Sequence, residues 1–209
     1  MRQQIKLLQN IVSRKGSSKV LTFSIPHVFK ALQLLYLEKF VSRSKFCNEL
    51  HLGEGAIKTL ILHLKDAKIV DTTRSGTYLT AKGKKISENL CSILKKECKL
   101  NKSRIVRGKY NHAIILKNYS YAIKTGLEQR DYAILYGSSG CITLLYHNGK
   151  FVFPGEEQDC LKEDPKTRKN IFQNLCPEEG DVIIISSADD SFVAEVSAKN
   201  SALWTLATN

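Results

Sequence analysis

The sequence predicts an α+β chain in two parts: a helical first half that contains one hairpin, and a second half in which strands and helices alternate. Three observations carry this. Apolar residues recur at helical spacing up to about residue 68, then switch to short alternating runs. His147-Asn148-Gly149-Lys150 is an Asn-Gly hairpin signal, and DVIIISSA (181–188) is a continuous apolar run of the kind that forms a buried strand. Charge divides the chain as well. Residues 1–106 hold 21 Lys and Arg against 7 Asp and Glu, whereas residues 107–209 hold 11 against 13.

The whole chain has 209 residues and a net charge of +12, with 43% hydrophobic and 25% charged residues. That composition excludes a disordered, collagen-like or coiled-coil chain. A basic half beside a slightly acidic one implies two domains, expected at 1–104 and 105–209, with the first meeting a polyanion.

The basic half reads in order as follows. Residues 5–12 form a short amphipathic helix, broken by RKGSSK (14–19). Pro26 opens a helix over 27–40, and Ser42 or Ser44 caps a second one that runs to His51. Gly53-Glu54-Gly55 is a turn into a third helix, 56–68. IVDTT (69–73) and TYLTA (77–81) are strands joined by RSG, and a long helix starts at Lys82 and continues to about Leu100. Two helices joined by a turn, with a two-stranded ribbon directly behind, form a winged helix-turn-helix.

The stretch from Leu52 to Ile86, with Leu79-Thr80-Ala81-Lys82-Gly83-Lys84 as its "L-T-x-x-G-K" segment, resembles prokaryotic winged-helix transcription regulators. With GLEQRDYAI (126–134), FVFPG (151–155) and GDVIIISSADD (180–190), the whole chain resembles an archaeal family in which a winged helix precedes a C-terminal domain of unknown function. The resemblance implies a regulator and supplies no ligand.

Helical phase picks the residues expected to touch DNA. With Ile57 at zero and ~100° per residue, Leu60, Ile61 and Leu64 fall within about 60° and form the core stripe. Lys58, Thr59, Leu62, His63 and Asp66 face away, and of these Lys58, Thr59 and His63 suit base edges in the major groove. Ser42, Arg43, Ser44 and Lys45, at a helix entrance, suit a phosphate. Arg74 at the hairpin tip suits the flanking groove or backbone, and Lys82, Lys84 and Lys85 suit phosphates. A solvated helix face carries similar charges, so the fold pattern and the charge must be taken together.

The acidic half reads as a strand (112–118), a helix (119–137), the Asn-Gly hairpin, a charged loop (156–169), a helix (166–176), the buried strand (181–188) and a final helix (191–207). The order fits a small α/β sandwich, either ferredoxin-like (βαββαβ plus a terminal helix) or another α/β layering. A domain of this size gains core by dimerising, so a homodimer is expected.

No phosphate-loop, dinucleotide, zinc-protease or nucleophile-elbow spacing occurs, so no enzyme, catalytic residue or cofactor is predicted. The six cysteines match no metal spacing and read as free thiols. The chain shows neither an export signal nor a membrane span, which gives a cytoplasmic expectation without membrane partners. Two polar clusters are candidates for a small-molecule effector: Glu128, Arg130 and Asp131, and Ser186, Ser187 and Asp189 at a strand-to-helix passage. Helix capping by Asp190 or Ser191 is the plainer account of the second.

The function that follows is a sequence-specific, double-stranded-DNA-binding transcription regulator whose C-terminal domain dimerises, senses a ligand, or does both. The alternatives are a winged-helix assembly component of a transcription or RNA-processing complex, and an enzyme housed in the C-terminal domain.

Overall fold

The computed structural model describes residues 1–13 and 21–208. The break expected at 14–19 lies outside the described residues. The chain is a mixed α+β protein that divides into two compact units, Met1–Cys91 and Ser92–Asn209. The first unit carries 16 Lys and Arg against 6 Asp and Glu, and the second carries 16 against 14. Among the described residues, no helix is long and apolar enough to cross a membrane.

The first unit holds α1 (Arg2–Ile11), α2 (Ile25–Leu37), α3 (Arg43–Leu50), α4 (Glu54–Asp66), the hairpin β1 (Val70–Thr73) and β2 (Gly76–Leu79), and α5 (Ala81–Ile93), which runs just past the division. Each helix starts where local chemistry dictates. Ser24 and His27 close a reciprocal capping box on α2, with Pro26 in its first turn. Ser42 Oγ accepts the Lys45 amide at 3.2 Å to cap α3. The chain leaves α3 through His51 in the left-handed region (φ 51°) and enters α4 at Gly53. Glu54 and Gly55, expected in a turn, therefore form the first turn of α4. Val28, Phe29, Leu32, Phe46, Leu50, Ile57, Leu60 and Leu64 are all buried and tie α2, α3 and α4 into one core. Each such side chain stabilises the fold by roughly 1.5–3 kcal/mol.

Gly83 of the L-T-x-x-G-K segment has a packing reason: a Cβ there would lie 2.0 Å from the Ile69 carbonyl oxygen. Thr80 completes the join, since its Oγ1 accepts the Gly83 amide at 3.1 Å and donates to the Lys68 carbonyl at 2.8 Å.

The helix expected to reach Leu100 stops at Ile93. Glu97–Leu100 is instead strand β3 of the second unit, paired antiparallel with β4 (Tyr110–Leu116). The rest of this unit is a 3-10 turn (Ser120–Ala122), α6 (Leu127–Ile134), β5 (Gly140–His147), β6 (Lys150–Val152), α7 (Pro165–Leu175), β7 (Val182–Ala188) and α8 (Ser191–Thr208). The helix expected over 119–137 is thus interrupted. Gly126 adopts φ +77°, and a Cβ there would also press on Thr143.

The strands form one antiparallel sheet in the order β3-β4-β7-β5-β6. A ferredoxin-like sheet, counted from β4, would place its third strand between its first two. Here the last strand, β7, takes that position, so the ferredoxin-like expectation is corrected. The reason lies in the sequence of β7: Val182, Ile183, Ile184 and Ile185 point apolar side chains to both faces, and the middle of the sheet is where both faces are covered. One face packs against α6 and α8. The other closes over α7 with a core that includes Ile115, Leu144, Phe151, Ile171, Leu175, Ile183 and Ile185.

Candidate nucleic-acid interface

In the first unit, α3 and α4 are joined by His51, Leu52 and Gly53, and the β1–β2 hairpin follows α4 directly. The register Val70↔Leu79 to Thr73↔Gly76 leaves Arg74 and Ser75 at the tip. The hairpin does not hang free. Val41, between α2 and α3, forms a bridge with Thr77, and the two residues exchange N–H···O bonds of 2.9 Å in each direction. Lys65 of α4 reaches Asp71 of β1 at 3.0 Å, and Lys82 Nζ donates to the Ala67 carbonyl at 2.8 Å. The Lys65 contact, followed by the Thr72 amide, holds the Asp71 carboxyl below its usual range. Hairpin, helix pair and the segment between α2 and α3 are therefore fixed to one another.

The expected contact residues fall into two groups. Arg43, Ser44, Lys58, Arg74, Lys84 and Lys85 are exposed. Among the described residues, none of these five cations lies within ion-pair distance of a carboxylate. Unpaired like charges on one small unit repel each other. Thr59 is half-buried, with its Oγ1 donating to the Gly55 carbonyl at 3.0 Å.

The others already have structural duties. Ser42 is a cap, Lys82 ties down the end of α4, and Lys45 pairs with Glu38. His63 is the clear correction. It is 6% exposed, its Nδ1–H donates to the Ile11 carbonyl at 2.6 Å, and its ring meets Phe23 edge-on at 5.7 Å. A side chain so held cannot reach a groove. Helical phase does not show this because α4 is covered on a second flank, where the end of α1 and Phe23 sit over His63.

Cations in the second unit were not singled out from the sequence. Residues 92–109 hold seven Lys and Arg against Glu97 alone. Lys99, Lys102, Arg107 and Lys109 are exposed along β3 and the connection to β4, with no carboxylate at ion-pair distance among the described residues. A finer count of charge along the chain would have found them.

The two polar clusters in the second unit do not merge. On α6, Glu128, Arg130 and Asp131 point outward, while Gln129 is buried and donates to Thr205 at 3.0 Å. Ser186 is buried and donates to Ser138 Oγ at 2.9 Å, and Ser187 donates to Asn111 at 2.6 Å. Asp189 is exposed. Asp190 accepts the Phe192 and Val193 amides at 2.8 and 3.0 Å and caps α8. Only Arg130 and Ser187 share a groove, one of about 330 Å³ that Arg107, Ile142 and Ile185 also line. Cys141, beside it, is held by burial as a neutral thiol, with its pKa pushed up to about 12.

The most deeply buried charge of the second unit is Lys199 on α8, fully enclosed. It pairs with Glu97 of β3 and, at 3.2 Å, with Glu195. Glu97 also accepts from His112 Nε2 at 3.1 Å. This network fastens the edge strand β3 to the rest of the sheet. Among the described residues, no group of three or more His, Cys, Asp or Glu is placed to hold a metal ion.

Residues 106–206 match the family model "Domain of unknown function (DUF4443)". This agrees with the C-terminal part of the expected family. The chain is also similar to a solved structure, the hypothetical protein PH0730 from Pyrococcus horikoshii OT3. The two are 27% identical, the match covers 88% of this chain and 90% of that one, and the TM-score is 0.66. No curated protein matches the chain.

Proposed function

We propose that the protein is a winged-helix, sequence-specific DNA-binding regulator of transcription. In this reading α4 enters the major groove and the β1–β2 hairpin is the wing. The second unit pairs two copies, takes a small effector in the groove beside Arg107 and Arg130, or does both.

The observation that carries the reading is the Val41–Thr77 pairing. A hairpin behind a helix is a common feature. A hairpin hydrogen-bonded to the residue that separates α2 from α3 is held at a fixed angle beside the helix pair, as a wing must be to grip a backbone while α4 lies in the groove. The unpaired cations Arg43, Lys58, Arg74, Lys84 and Lys85 supply the charge that such a grip requires. His63 leaves the contact set.

One observation favours a second reading. Leu62 is 57% exposed on the outer face of α4, next in phase to Lys58, and an apolar residue there suits a protein surface better than a polar base edge. A thymine methyl would also accept it.

Selection of duplexes from a random pool, followed by genome-wide mapping of bound DNA, tests the proposal. The expected result is an enriched motif with two half-sites about 34 Å, or a multiple of that, apart. No enrichment over the starting pool, with a stoichiometric protein partner recovered instead, would overturn the proposal in favour of a winged-helix assembly component.

A further inference from the structure

The groove of about 330 Å³ in the second unit is lined by two arginines and, among the described residues, by no carboxylate. It lies where β7 ends and β5 begins, beside the connection that leads into β4. Gly140 and Ile142 of β5 stand opposite Ser187 and Ile185 of β7, so all four share one face of the sheet. The connection is bound to that face. Asn111 donates to the Gly108 carbonyl at 3.0 Å and accepts from Ser187 at 2.6 Å. Gly108 is required there, since a Cβ on it would stand 2.5 Å from the Cβ of Ser187. At Gly140 the reverse holds: a Cβ would meet nothing within 4 Å, which leaves the floor of the groove open.

Arg107 is oriented by the same connection. Its Nε donates to the Arg104 carbonyl at 3.2 Å, which leaves both terminal nitrogens of the guanidinium for another acceptor. Arg130 adds a second cation from α6. It touches one oxygen of its neighbour Asp131, at 3.3 and 3.4 Å, and both of these side chains are half exposed or more. An exposed pair of that kind is weak, and Asp131 itself does not line the groove. The net charge of the lining is therefore positive, with Arg107 as its principal source.

These walls select a ligand by charge and by polarity. The paired nitrogens of a guanidinium match the two oxygens of a carboxylate. Ile105, Ile142 and Ile185 offer no partner to a hydroxyl or an amide, so a sugar phosphate would lose hydrogen bonds against them, whereas a hydrocarbon would not. The volume lies near the lower end of the ~300–1,000 Å³ range of ligand pockets, so the body must be small.

We propose that this groove binds a small organic carboxylate with an apolar body. The carboxylate sits on Arg107 and Arg130, and the body lies against Ile105, Ile142 and Ile185. This names the chemical class of the effector in the regulator reading and rests on that reading for its purpose. The binding itself is tested without DNA.

The test titrates the full chain, by calorimetry, with hexanoate, benzoate and phenylacetate, with the primary amide of each, and with inorganic phosphate. At least one carboxylate is expected to bind with a Kd of ~1 mM or tighter, and its amide and phosphate at least ~10-fold more weakly. Arg107→Gln removes the principal cation and should weaken that carboxylate at least ~10-fold, and Arg130→Gln should weaken it less. Gly140→Leu fills the groove from its floor and should abolish binding. Unliganded melts equal to wild type will show that the variants fold. Arg107 and Arg130 are exposed, so their variants keep the test decisive if Gly140→Leu melts lower. No binding of any of the carboxylates, amides that bind as well as the acids, or Arg107→Gln and Gly140→Leu chains that bind as wild type does would each overturn the proposal. A chain that binds DNA and none of the carboxylates would overturn this site alone. A chain that binds a carboxylate and no DNA would keep the site and overturn the regulator reading.

Discussion

Val41 and Thr77 satisfy each other's backbone, N–H to O at 2.9 Å in both directions, and Gly76 leaves the room in which they do so. Gly76 has φ +128°, and a Cβ on it would stand 2.8 Å from the Val41 carbonyl oxygen. Gly76→Ala should therefore separate the hairpin from the segment between α2 and α3. The expected cost is about 1–3 kcal/mol, read from urea unfolding, together with weaker DNA binding. Wild-type stability in this variant would mean that the bridge holds nothing in place.

His63→Ala should act on stability and not on sequence choice. It removes the buried bond to Ile11 and the edge contact with Phe23, leaving the Ile11 carbonyl without that donor. A loss of about 1–3 kcal/mol is expected, with the selected DNA motif unchanged. An altered motif at wild-type stability would place His63 in the groove after all.

Acid should unfold the units in a set order. Burial first, then the charges of Lys30 and His51, push His27 down from 6.5 to about 4. Its Nδ1 accepts the Ser24 amide at 3.3 Å, a role that protonation ends. Because the folded pKa lies below the unfolded one, the unfolded chain takes up the proton first. The first unit is then fully stable above about pH 6.5 and weakens as pH falls toward 4. His27→Gln preserves the capping box and should flatten that slope.

Glu97 governs a lower window in the second unit. Burial would raise its pKa, but the charge of Lys199 and then His112 outweigh burial and hold it at about 2, below the ordinary 4.5. Its contribution is present above 4.5 and lost as pH falls toward 2. Trp204, the single tryptophan, lies in the second unit, so its fluorescence should change at lower pH than the circular dichroism of the first. Lys199→Ala, which leaves the half-buried Glu97 without its main partner, should cost on the order of 1–3 kcal/mol.

What could be read from the sequence follows the range of the interactions involved. Asn148 and Gly149 at φ 49° and 74° form the expected hairpin turn, and 182–188 is the expected buried strand, because both signals are local. β3 was invisible since Glu97–Leu100 becomes a strand only by pairing with Asn111–Ile114, and a continued helix fits the same residues. The position of β7 between β4 and β5 is likewise a long-range outcome. On α4, Lys58 is exposed as its phase predicts, whereas His63 is buried, because one helix cannot show how many neighbours cover it. On α6, Leu127 and Ile134 are exposed, since the conformation of Gly126 shortens the helix expected over 119–137 and sets its inner face at Gln129 and Ala133.

The cations can be ranked. Lys58→Ala should relax base preference at one position by about 1–3 kcal/mol. Arg74→Ala should weaken binding to all sequences alike and lower the salt slope by about 1. Lys99→Ala/Lys102→Ala/Lys109→Ala tests whether the basic connection in the second unit also meets DNA. A slope reduced by about 0.9 for each lost phosphate contact would show that it does, and an unchanged slope that it does not.

The central claim is that the excess charge of the first unit meets duplex DNA. It is tested most directly by fluorescence anisotropy of the full chain on duplex DNA, with affinity followed against salt. The account predicts a linear fall of log affinity with log salt, and a loss of about 10³–10⁵ between roughly 50 and 200 mM if six to ten phosphates are contacted. Absence of binding at low salt, or an affinity that does not change with salt, would contradict it.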